Sequence, residues 1–233
     1  MYVCGMQFGS GRRFKSKTQP KPFKMKLKKT LFIGILGSLL TTAGFAQTIV
    51  GSAHDFSTQS WNLSGEICIC CHTPHNADIT VPDAPLWNHQ NTTAVFQLYT
   101  SPTFNGAATI TQPSGSSKLC LSCHDGTVAL ENYSGNTSGT HFITAQNNLG
   151  TDLRNDHPIS FIYDAALASL DNGLWDPTTH LSGIGNGTIS QTMLFNNKME
   201  CASCHDVHNS TGYAHLLLKA NTSSALCLTC HNK

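Results

Sequence analysis

Beyond its first 46 residues the chain has almost no positive charge. That leading segment holds nine of the fourteen Lys and Arg and none of the thirteen Asp and Glu, so residues 47–233 carry a net charge of −8. The balance excludes nucleic acid as a partner, because phosphate contacts require Lys and Arg. Long apolar runs are also missing. The one continuous stretch, Leu31 to Leu40, falls well short of the roughly 20 residues a membrane-spanning helix needs. Methionine is scarce, with only Met193 and Met199 after Met25. The remainder is rich in Asn, Thr, Ser and Gly with modest apolar periodicity, so little of it can build a conventional core.

The leading segment reads as an address. From Met25 a basic start (Lys26, Lys28, Lys29) leads into the apolar run and then a small-x-small site, Gly44-Phe45-Ala46. This is the three-part pattern of a secretory signal peptide over 25–46, with cleavage before Gln47. Residues 1–24 read as a non-structural extension from an upstream start codon; a longer basic anchor is the alternative. Export through the periplasm, to the outer cell surface or beyond, is the expected route.

What the chain has in abundance is cysteine followed by histidine. Cys-x-x-Cys-His occurs four times: Cys68/Cys71/His72, Cys120/Cys123/His124, Cys201/Cys204/His205 and Cys227/Cys230/His231. The pattern is the attachment signature of c-type haem. The two thiols add to the haem vinyl groups and the adjacent His binds iron. A zinc knuckle or a redox dithiol would also use Cys-x-x-Cys, but neither needs a His directly after every pair. Four covalent haem c groups are therefore expected, with His72, His124, His205 and His231 as proximal ligands. Cys70 is left over as a spectator within the first motif, an intersubunit disulfide being its alternative role.

The motifs duplicate. CICCHTPHN (68–76) matches CASCHDVHN (201–209), and SSKLCLSCH (116–124) matches SSALCLTCH (223–231). Two dihaem units in tandem, about 47–150 and 151–233, are expected to join in a single domain. Its fold class is mostly irregular coil with short helices wrapped around a stack of covalent haems. Burial at roughly 25 cal/mol per Å² makes each haem face a large contribution to such a core. Each motif should occupy one helical turn, and Asp164 to Leu170 reads as a short helix opened by Asp. Ala94 to Tyr99 reads as strand or helix. Gly183 to Thr188 is a loop, not a nucleotide site.

Eight histidines remain for distal ligation. His75 and His208 each follow a proximal His by three residues and are assigned here to the second and fourth haems, respectively. His157 precedes Pro158, which favours an extended backbone before it. His54 adjoins Asp55, a candidate acceptor for its other ring proton. His89 is the reserve, and His141, His180 and His215 read as solvated. Plentiful His and scarce Met favour bis-His over Met ligation, with a comparatively low potential.

CHTPHNA, APLWN, CLSCHDGTVAL, NDHPIS and CASCHDVHN together resemble the doubled-CxxCH multihaem cytochromes, and their order resembles the OmcE-type tetrahaem cytochromes most. The resemblance implies polymerisation into surface filaments with a continuous haem stack, self being the main partner. It also implies that His54 is donated to a neighbouring subunit. Extracellular acceptors and other redox cytochromes are the further partners it implies. A soluble periplasmic tetrahaem carrier is the second reading, and it predicts all axial ligands within one chain. No enzymatic activity is expected, since a small-molecule reductase would need an iron with an open position.

Overall fold

Regular structure requires sustained periodicity, and this sequence supplies it only in short pieces. The computed structural model describes residues 49–82 and 84–233; the expectations for 1–24 and 25–46 lie outside them. Helix α1 (Gly115–His124) carries the second motif. Helix α2 (Ala165–Asp171) opens at Asp164, whose carboxylate accepts from the Leu167 N–H at 2.9 Å. It closes at Asn172 in the left-handed region (φ 55°), a usual helix terminator. Helix α3 (Ile189–Thr192) is started by a capping box between Thr188 and Gln191, and α4 (Cys227–Cys230) carries the last motif. Strands β1 (Phe161–Ile162) and β2 (Lys198–Met199) pair antiparallel, Phe161 opposite Met199. Ala94 to Tyr99 is extended and touches another segment through one bridge, Gln97 to Asp152.

The duplication extends into the backbone. His72 bridges to Trp87, and His205 bridges to Leu217. Thr73 N–H donates to Leu86 O at 2.9 Å, and its counterpart Asp206 N–H donates to Leu216 O at 2.6 Å. Asn88 N–H donates to Cys71 O, and Leu218 N–H to Cys204 O, both at 2.9 Å. Even the uncommon torsions recur: Asn76 and Asn209 have φ of 57° and 55°, and Leu86 and Leu216 have φ of 53° and 55°. A left-handed Leu is unfavourable by about 1–2 kcal/mol. Its repetition at matched positions marks a turn that the local geometry requires.

The polypeptide supplies more core than its composition suggests. Phe161, Tyr163, Leu167, Ala168, Ile189, Met193, Leu194, Met199, Leu226 and Cys230 form one buried cluster, most of it from the segment between the second and third motifs. Two smaller clusters, around Trp87 and around Phe96, sit in the first repeat. Met193 and Met199 are both buried in the main cluster. Among the described residues no helix is long and apolar enough to cross a membrane.

Candidate haem-iron sites

Each Cys-x-x-Cys-His closes one helical turn. The His N–H donates to the first Cys carbonyl in three motifs, at 2.8 Å for His72, 3.1 Å for His205 and 3.0 Å for His231, and the remaining motif lies within α1. Positions i, i+3 and i+4 share one helical face, so both thiols and the imidazole can address one planar group.

A second hydrogen bond orients three of the four rings. Nδ1–H of His72 donates to Pro85 O at 2.5 Å, that of His124 to Asn147 O at 2.8 Å, and that of His205 to His215 O at 3.0 Å. A proton held at Nδ1 leaves the lone pair on Nε2, as iron ligation requires. The carbonyls of Pro85 and His215 precede the left-handed Leu86 and Leu216. Those torsions therefore shape the turns that present an acceptor to the ring.

Opposite three of these rings stands a second imidazole. Ring centres are 6.1 Å apart for His72 and His208, 6.1 Å for His124 and His54, and 6.4 Å for His231 and His157. Two metal–imidazole bonds of about 2.0–2.1 Å, plus roughly 1.1 Å from each nitrogen to its ring centre, span about 6.3 Å. The observed separations fall on either side of that value. Direct contact looks different here: Trp175 and His180 lie parallel within 6° at 4.4 Å. His72 and His208 are parallel within 14° at 6.1 Å, which leaves room for an intervening atom. The residues thus fit haem iron. Among the described residues no group of three or more His, Cys, Asp or Glu is placed to hold a metal, so a protein-only zinc cage has no support. Facing pairs suffice for haem because the macrocycle fills the other positions.

His54 carries the electrostatics of a ligand. Burial, then the neighbouring His124, His205 and His208, push it down to about 4, so it is neutral at physiological pH, as a metal ligand must be. Its Nδ1 is buried without a hydrogen-bond partner. His231 is lowered by burial and then by His157 and Lys233. Burial pushes the attachment thiols Cys71 and Cys204 up to about 11 and Cys230 to about 12, whereas Cys201 is lowered, chiefly by the neighbouring Cys120. The described cysteines form no disulfide.

Several expectations require correction. His208 faces His72 of the other repeat, not the fourth motif, whose His231 faces His157. The second motif's His124 faces His54, not His75. His75 lies exposed on the turn after His72; among the described residues neither it nor His205 enters such a ring pair. The cause is topological: the HxxH turn aims its second ring away from its own repeat. His54 meets a ring of its own chain, although donation to a neighbour was expected. Asp55 does not orient His54, because its carboxylate is occupied by Gly51 N–H at 2.7 Å and by the Ser57 N–H and hydroxyl at 3.1 and 2.6 Å.

The reserve ligand is a structural residue. His89 is buried with Nδ1 2.9 Å from Gln90 O and Nε2 3.0 Å from Ala129 O, so both nitrogens are engaged. Burial lowers its pKa, against the pull of those carbonyls. His141 binds Glu131 at 2.7 Å and His180 stacks on Trp175, so neither is merely solvated. Cys70 is buried and is pushed up to about 12 by burial and Cys71, which makes it inert. The carbonyls that accept from the proximal rings had no signal in the sequence beyond the APLWN segment.

Residues 194–233, which hold the last two motifs, match the family model of the doubled CXXCH motif. The motif supports a multihaem c-type cytochrome. A search of curated proteins finds none that matches the chain. Coil with few short helices is consistent with a multihaem cytochrome, and the family's business is electron transfer.

Proposed function

We propose that this chain is an exported electron-transfer protein, not an enzyme, holding four haem c groups through its four attachment turns. Bound haem iron supplies one-electron oxidation and reduction. The chain's own residues would attach the ring edges through paired thiols, hold Nδ1–H of three proximal imidazoles on carbonyls, and place a second imidazole opposite three of them. At three of the four motifs the facing imidazoles would leave no position free for a substrate, which argues against small-molecule reduction there. The observation that carries this reading is the set of three imidazole pairs at 6.1–6.4 Å.

Three pairs lie within one chain, whereas His205 faces no second imidazole among the described residues, so the self-contained carrier lacks one of its axial ligands here. The filament reading rests on the sequence resemblance; with His54 turned to His124, a polymer would need another contact to join its subunits. The secretory pattern at 25–46 supports delivery outside the cytoplasm. The deciding experiment is haem quantitation with electron paramagnetic resonance of protein purified from an exporting host, alongside electron microscopy. Four low-spin haems per chain in discrete particles support the carrier. Regular filaments of the same composition would restore the polymer reading, and a high-spin haem in the native protein would overturn the saturated-ligand reading.

A further inference from the structure

Glu200 is 2% exposed, and a buried carboxylate is unfavourable unless it is hydrogen-bonded or paired. Its partners gather at one join. Oε2 accepts from the Ser160 hydroxyl at 2.9 Å, and Oε1 accepts from the Ser114 hydroxyl at 3.3 Å. The Ser203 N–H donates to the same carboxylate in a capping box that starts the Cys201–Ser203 turn. Lys198 Nζ donates to Ser114 Oγ at 3.2 Å, so the one cation here stands a hydroxyl away. Ser114 is the N-cap residue of α1 yet caps nothing in its own helix. A Cβ built on Gly115 would stand 3.5 Å from Glu200 Oε1. The carboxylate therefore lies at the positive end of a ten-residue helix from the other repeat.

A second clasp lies beside it. Cys201 N–H donates to the buried Ser117 hydroxyl of α1 at 2.9 Å. The Cys120 and Cys201 side chains are close neighbours. Since α1 carries the second motif and the Cys201 turn the third, the last attachment site of one repeat abuts the first of the next. The position that matches Glu200 in the first repeat is Ile67. The carboxylate therefore belongs to the join and is not a general requirement of a Cys-x-x-Cys-His turn.

We propose that Glu200 is a positioning residue that locks the Cys201 turn onto α1 and so sets the electronic contact between the haems attached at Cys120/Cys123 and at Cys201/Cys204. The inference rests on the four-haem reading. Glu200 makes no bond to either group; it acts through the two turns whose sulfurs fix the ring edges. The step it governs moves one electron, one iron being oxidised as the other is reduced, with no proton or bond exchanged.

The test uses the haem-loaded full chain and two-dimensional exchange NMR at partial reduction. Glu200→Ala should keep four haems in their wild-type spin states, slow exchange between the second and third haems several-fold, and leave exchange within each repeat unchanged. Glu200→Gln, which keeps one acceptor and the side-chain volume, should recover most of the rate. Ser117→Ala removes the neighbouring clasp and should slow the same exchange, which keeps the question open to test if Glu200→Ala does not fold. Wild-type exchange in Ser117→Ala or in a fully loaded Glu200→Ala would overturn the proposal. A wild-type chain with fewer than four haems would instead overturn the reading beneath it.

Discussion

His208→Ala tests the crossing of ligands between repeats. In the structure His208 is exposed, its ring parallel to that of His72 at 6.1 Å, with Asp206 Oδ1 3.8 Å from its Nδ1. Truncation removes the imidazole opposite His72 and leaves the Cys68/Cys71 attachment intact. With four motifs in the chain, about one haem in four should change from low to high spin. About one more carbon monoxide should then bind per reduced chain than in the wild type. The site of the change is the informative part. In a background with Cys68 and Cys71 both changed to Ala, the added carbon monoxide binding should vanish. In a background with Cys227 and Cys230 changed to Ala, it should persist. The reverse pattern would place His208 on the fourth motif and refute the cross-repeat pairing. Unchanged spin state in the single variant would refute His208 as a ligand altogether.

Other perturbations follow from the same geometry. His89→Leu should leave the spin state of every haem unchanged, since both ring nitrogens face carbonyls. It should still lower stability by about 1–2 kcal/mol in denaturant unfolding through the lost buried hydrogen bonds. At Glu131 burial disfavours the charge, but the N–H groups of Thr140 and His141 and the His141 ring outweigh it and pull the carboxyl down to about 2. A depressed folded pKa gives stability that is present above the ordinary carboxylate range and lost as pH falls toward 2. Glu131→Gln should therefore cost on the order of 1–2 kcal/mol at pH 7, with the gap from wild type closing in acid. Leu86 is 57% exposed with φ of 53°, so Leu86→Gly loses little burial and relieves a left-handed torsion. Thermal unfolding should register a gain of about 0.5–1 kcal/mol, the relief less the added chain entropy of Gly.

The attachment turns were legible in the sequence because their chemistry is local. Two thiols and an imidazole must share one face of one turn, and that compresses into five residues. The helix after Asp164 was legible for the same reason, its cap and its apolar residues lying within eight positions. Iron pairing is not local. The ring opposite His72 comes from the other repeat, and no spacing rule for an HxxH turn identifies which iron its second ring reaches. Asp55 beside His54 shows the complementary error, in which sequence adjacency suggested a partner that Gly51 and Ser57 had already claimed.

The protein core was missed for a related reason. It is assembled from Phe161, Leu167, Ile189, Met199 and Leu226, one or two residues from each of several short elements. No window long enough to show a period contains more than a few of them. Most of this cluster comes from the segment between the second and third motifs, where the two repeats have no counterpart segments. The repeats are thus not merely consecutive. His208 reaches back to the first motif's ring, Glu200 and Cys201 clasp α1, and β1 and β2 bring Phe161 and Met199 together beneath that join. A duplicated dihaem unit needs a fixed boundary if electrons are to cross it reproducibly. The inserted core and the buried Glu200 supply that boundary with residues that the attachment motifs themselves do not contain.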